Sequence, residues 1–247
     1  MHLERYSNPE EVARRAADIV AEQVEREPEA VLLLPAGRTP RALYAELLRR
    51  QAGGSIDLRQ AHFFQLDELV GVPVDDERSF HRFLRRELID PLGRDGRRDH
   101  LLAGTAADPA AEIAAHAARL HDLGGADLAL LGIGGNGHVA FNEPGTKPED
   151  GSRVVELAEP TVAGLRASFP PEAIPTRGIT IGLKEIRDSR RVVLMATGPS
   201  KSAILGSLVG SEPSFACPAS LLLDHADFHV LADEDAARQV DVLGARR

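Results

Sequence analysis

The chain has 247 residues, 43% hydrophobic and 27% charged, enough for a sizeable core in one large α/β domain or two small ones. Its 38 acidic and 29 basic residues give a net charge of −9, which excludes a general nucleic-acid surface because that needs a basic footprint. The single cysteine, Cys217, excludes an intrachain disulfide; with a charged N-terminus lacking an apolar leader and no stretch near 18 uncharged apolar residues, a cytoplasmic chain without a membrane span is expected.

Helical and strand patterns alternate along the chain. Residues 8–27 predict a helix with Asn8 as N-cap, Pro9 behind it and Val12, Ala16, Ile19, Val20 and Val24 at helical spacing. Residues 30–35, AVLLLP, are apolar throughout, as in a buried parallel strand. A helix follows over 39–51 with Thr39 as N-cap, then a strand over 61–66, a helix from Ser79 to 92, a helix over 108–125 and a strand over 126–132. Residues 146–176 hold five prolines and little periodicity, and predict an excursion or lid. Strands over 177–183, 190–197 and 228–233 and a glycine-started helix over 198–210 complete the pattern.

Such alternation predicts a three-layer αβα fold: a mostly parallel, Rossmann-like sheet with helices on both faces and the Pro-rich excursion as a lid. One domain over 1–247 is expected, since the excursion marks no boundary. Ligands in such sheets bind beyond the carboxyl ends of the strands. Four polar or glycine-rich segments fall there: PAGRTP (35–40), DELVG (67–71), GIGGNGHVAFNEPG (132–145) and TGPSK (197–201).

Gly132, Gly134 and Gly137 satisfy G-x-G-x-x-G, but a dinucleotide fingerprint opens a long helix and is followed by an acid about 20 residues on. Pro144 arrives too early for that helix. Two readings remain for the loop: a proton-transferring His138 oriented by Glu143, or a structural histidine beside a glycine turn. Asp67 and Glu68 suit a general base at a strand end, or a helix cap. Gly37, Arg38 and Thr39, and again Gly198, Ser200 and Lys201, place a helix N-terminus beside a cation, an arrangement that suits a phosphate group or plain helix capping. The remaining histidines have no metal-ligand spacing.

PAGRTP, LDELVGVPVDDERSFHRFL, GIGGNGHVAFNEPG and GPSK, in this chain order, resemble the glucosamine-6-phosphate deaminase family, whose superfamily includes 6-phosphogluconolactonase. The resemblance runs from about residue 10 to 235. It implies conversion of glucosamine 6-phosphate to fructose 6-phosphate and ammonia, without metal or organic cofactor. Asp67 would take the C2 proton, His138 would open the sugar ring, and Glu143 would orient His138. Gly37, Arg38, Thr39 and Lys201 would hold the phosphate, with Glu68, Gly135 and Gly137 near the substrate and Arg166 as a phosphate arginine on the lid. Asn136 stands where these deaminases often carry aspartate; an amide would bond the His138 ring without adding charge. The alternatives implied are a 6-phosphogluconolactonase-type hydrolase, from which Phe141, Asn142 and Glu143 depart, and a galactosamine-6-phosphate deaminase. The expected partner is a small sugar phosphate, with no nucleic acid and no membrane; self-association is left open.

Overall fold

Seven parallel strands order as β1 (His2–Tyr6), β10 (Phe228–Asp233), β9 (Arg191–Ala196), β6 (Leu128–Leu131), β2 (Val31–Leu34), β3 (His62–Gln65) and β5 (Asp99–His100). The computed structural model describes residues 1–244, so residues 245–247 of the expected 1–247 domain lie outside the described residues.

The strand pleat sends alternate side chains into two cores. Leu32, Leu34, Leu128, Leu130, Val193 and Met195 pack on one face against α1 (Pro9–Arg26) and α2 (Pro40–Ala52). Leu33, Ala129, Leu131, Val192 and Leu194 pack on the other against α7 (Leu183–Arg187), α8 (Ser202–Leu208) and α9 (Glu234–Gly244). The five apolar positions that predicted α1 are all buried, and Asn8 caps it by accepting from the Glu11 N–H at 2.9 Å. Asp108 caps α5 (Pro109–Asp122) through the N–H groups of Ala110 and Ala111.

Three expectations need correction. The helix from Ser79 is not uniform: α3 (Phe80–Leu84) widens into a π turn at Arg85–Ile89 before α4 (Asp90–Leu92). Pro91 has no N–H and its ring crowds the preceding turn, which the wider turn accommodates. Thr39 sits at the N-cap position of α2 without capping it; its hydroxyl lies 3.2 Å from that of Thr197. The strand at Arg177–Thr180, β8, is not in the main sheet. It lies antiparallel between β4 (Asp67–Leu69) and β7 (Arg153–Glu156) in a second, three-stranded sheet.

The expected excursion over 146–176 therefore has structure of its own. It contains β7 and α6 (Glu159–Leu165). A small apolar cluster of Leu69, Val72, Phe141, Leu157 and Phe169, flanked by Val162 and Leu165, joins it to the body.

One residue, Leu66, turns the main sheet into the small one. Its N–H donates to Leu34 O and its carbonyl accepts from Ile181 N at 2.7 Å. Asp67 is thereby held at the corner between the sheets. The chain leaves β2 toward β3 in one direction, and β6 toward β9 in the other. Their carboxyl ends open a crevice at this switch point, where such sheets bind ligands.

Candidate active site

A cavity of about 640 Å³ occupies the crevice. All four segments expected there line it: Pro35–Pro40 after β2, Asp67 after β3, residues 132–134 with His138 after β6, and residues 197–201 after β9. The strands that carry Lys201 and Asp67 are three places apart in the sheet, which is roughly 14 Å at ordinary strand spacing. Lys201 and the base candidate thus stand at separate ends of one cavity.

Asp67 is 8% exposed. Burial, reinforced by the neighbouring negative charge of Glu68, pushes its carboxyl up to about 8. Glu68 itself does not reach the cavity, correcting the expectation of a substrate contact. It is fully buried and accepts from Ser79 Oγ at 2.8 Å, from Phe80 N at 3.2 Å and from His81 N at 2.7 Å. Of the two sequence readings for the acid pair, helix capping describes Glu68, while Asp67 faces the cavity.

His138 and Glu143 meet because the chain reverses between them. Ala140 has φ +48°, the only positive φ at a non-glycine among the described residues. Such a conformation costs roughly 1–2 kcal/mol, and its effect here is a tight turn closed by Asn142 N donating to Val139 O at 3.0 Å. Asn142, fully buried, pins the turn by donating to Ile181 O at 3.0 Å. Glu143 Oε2 then lies 3.2 Å from His138 Nδ1. Burial disfavours the Glu143 charge, but hydrogen bonds from His138, Thr161 and Asn136 outweigh it and hold the carboxyl down to about 2.

Asn136 does not bond the imidazole, contrary to expectation. Its Nδ2 donates to Glu143 Oε2 at 2.8 Å, and its Oδ1 accepts from His138 N at 3.2 Å. The carboxylate offers two ionic acceptors, and the amide takes one of them. Gly135 is exposed and away from the cavity. Gly137 is buried with φ +86°, and a Cβ on it would meet Cys217 Sγ at 2.5 Å. Gly134, not singled out for the substrate, is the glycine the site needs: a Cβ there would stand 2.3 Å from His138 ring atoms.

At the other end, Lys201 is half-buried, donates from Nζ to Ile133 O at 2.7 Å, and is pushed down by burial and by the nearby charge of Arg38. Arg38 lines the cavity, and its guanidinium makes no hydrogen bond or ion pair with any described residue. Gly37, at φ +124°, and Thr39 line the same end. Arg166 is not there: it is exposed at the C-cap of α6 and pairs with Glu159 at 2.5 Å. Thr161, which the sequence reading missed for want of any motif, lies 2.5 Å from Glu143. Among the described residues no group of three or more His, Cys, Asp or Glu side chains is arranged to hold a metal.

Fold and cavity define an α/β protein whose strand ends gather a buried carboxylate, a histidine and two cations around one crevice. The chain belongs to the family described as glucosamine-6-phosphate isomerases/6-phosphogluconolactonase, whose model matches residues 7–231. A glucosamine-6-phosphate deaminase of Rhodopirellula baltica is 36% identical over 242 residues, covering 98% of this chain and 96% of the relative. One from Bacillus velezensis is 38% identical over 229 residues, covering 92% and 95%. The solved structure of a monomeric glucosamine-6-phosphate deaminase superposes with a TM-score of 0.93 at 33% identity, covering 97% of this chain and 100% of that one. A 6-phosphogluconolactonase from Trypanosoma brucei superposes at 0.78 with 21% identity, covering 97% and 98%, and shares the fold.

Proposed function

We propose that this chain is a glucosamine-6-phosphate deaminase, converting glucosamine 6-phosphate and water to fructose 6-phosphate and ammonia. The observation that carries the reading is the pairing, in one cavity, of a buried Asp67 with the His138–Glu143 pair, facing two cations at the far end. The full-length relatives of that name support it.

The phosphate is held by Lys201 and Arg38 with the backbone of Gly37 and Thr39, which fixes the sugar's distal end and positions C1 and C2. His138 moves the proton between the C1 hydroxyl and the ring oxygen, opening the pyranose. Glu143 stabilises the imidazolium that forms in passing. Asp67 then takes the proton from C2 of the aldehyde, giving an enolamine, and returns a proton to C1. The resulting imine at C2 adds water and releases ammonia, leaving the ketose. A carboxyl near 8 is a stronger base than an ordinary aspartate, as abstraction from carbon demands. Residues 1–247 act in this reading as one domain, with 146–176 as its lid.

The test is a coupled ammonia assay with glucosamine 6-phosphate, paired with base uptake during hydrolysis of 6-phosphogluconolactone. Ammonia and a ketose 6-phosphate in equal amounts are expected. Lactone hydrolysis well above the spontaneous rate, without ammonia release from the amino sugar, overturns the proposal.

A further inference from the structure

Thr161 belongs to α6, in the Pro-rich excursion, yet its side chain reaches the acid–base pair. Its Oγ1 lies 2.5 Å from Glu143 Oε1 and 3.3 Å from His138 Nδ1. A hydroxyl carries one proton, and an ionised carboxylate only accepts. Glu143 is held in its charged form, so the Thr161 proton goes to Glu143 Oε1. Toward His138 the same oxygen can then only accept, which requires a proton on Nδ1. Glu143 Oε2, 3.2 Å from Nδ1, already accepts from Asn136 Nδ2 at 2.8 Å, so it favours the same proton without fixing it. Two oxygens therefore converge on one ring N–H, one from the loop after β6 and one from the excursion. The neutral ring keeps its lone pair on Nε2.

The seat of α6 is apolar. Val162 and Leu165, next to Thr161 in the helix, pack on the cluster that includes Phe141 of the turn and Phe169. Phe141 lies two residues from Glu143, so the contacts that seat α6 and those that orient His138 share one short segment. Lifting Val162 and Leu165 off this cluster withdraws the Thr161 hydroxyl from both Glu143 and His138.

We infer that Thr161 is a positioning residue that couples seating of the 146–176 excursion to the tautomer of His138, leaving Nε2 free to move the ring-opening proton only when α6 is down. This deepens the proposed function, since it rests on His138 as the ring-opening group. It also separates two tasks within the excursion: α6 supplies a hydroxyl to the acid–base pair, while Arg166 at the C-cap of that helix stays in solvent paired with Glu159.

The experiment compares Thr161→Val and Thr161→Ala, which lose the hydroxyl, with Thr161→Ser, which keeps it, all in the full chain. Two readouts are taken: kcat and KM for ammonia release, and the ¹⁵N NMR signature of His138 in the substrate-free protein. For valine and alanine, kcat is expected to fall about tenfold or more, part of the roughly 10²–10⁴ that a positioned acid–base group supplies, with KM within about twofold. The His138 spectrum should move from the Nδ1–H form to a mixture of tautomers. Serine should restore both. Wild-type kcat in the valine or alanine variant, a serine variant as impaired as either, or an unchanged His138 spectrum overturns the inference. If the wild-type chain releases no ammonia while valine or alanine still shifts the spectrum, the proposed function falls and the positioning role stands.

Discussion

Asn136 donates its amide to Glu143 across 2.8 Å. The residue thus neutralises part of the Glu143 charge from the side opposite Thr161, and its carbonyl holds the His138 backbone. Aspartate at this position would set two carboxylates in hydrogen-bond contact, where like charges do not both ionise. In Asn136→Asp a shared proton is expected to persist into the neutral range. The kcat–pH profile should gain an ionisation between about pH 4 and 8, and the melting temperature should fall relative to wild type as pH rises through that window. Rates and thermal unfolding across the range check this; a profile superimposable on wild type sinks the assignment.

The raised Asp67 carboxyl has consequences for both rate and stability. The free enzyme should show an ascending limb of kcat/KM near the group's value of about 8. For stability the sign follows from proton binding. Between an ordinary aspartate value of about 4 and the folded value, the folded chain holds this proton more tightly than the unfolded chain, so stability falls as pH rises. Asp67→Asn removes that cost. It should melt several degrees above wild type at about pH 9 and close to it at about pH 4, while turnover is lost. A variant less stable than wild type at the higher pH contradicts the burial argument.

Gly134→Ala puts a methyl group where the His138 ring now lies, 2.3 Å from its nearest atoms. The ring must move, because the loop backbone is fixed by Gly134 N donating to His138 O at 2.9 Å. A fall in kcat of about a hundredfold is expected, with little change in KM, since the ring's alignment counts for more than substrate affinity. Steady-state kinetics decide it, and a KM effect alone would place His138 in binding instead of proton transfer.

Arg38→Gly removes a cation that pairs with no described residue from the exposed mouth of the cavity while leaving Lys201 in place. Because the guanidinium is solvent-exposed, the expected rise in KM is modest, about three- to tenfold, and shrinks at high salt. kcat should hold. Measuring KM at two ionic strengths tests this, and an unchanged KM at low salt would leave phosphate recognition to Lys201 and the backbone.

Much of this arrangement is legible in the sequence, for physical reasons. Apolar runs such as VLLL mark parallel strands because both faces are buried, and strand ends in such a sheet must converge on one crevice. The segments that carry Asp67, His138, Lys201 and the Gly37–Thr39 turn are therefore placed at the cavity by position, while the roles given to them come from the family resemblance. Glu68 is misplaced because a period of two sends adjacent carboxylates to opposite faces, and nothing local says which one faces the ligand. Asn136 is misjudged because its partner depends on the reversal at Ala140, which no propensity announces. Thr161 is invisible for a related reason: its contact spans 18 residues and is set by how an irregular segment packs. The excursion itself hides β7 and α6 because prolines mask their periodicity.

The central claim is that Asp67 abstracts a proton from C2 of an amino sugar phosphate. Glucosamine 6-phosphate deuterated at C2, compared with the protiated substrate in single-turnover ammonia release, tests it directly. The account predicts slower release from the deuterated substrate with wild-type enzyme and no detectable release from Asp67→Asn. Equal rates for both substrates, together with an Asp67→Asn variant that retains wild-type release, would contradict it.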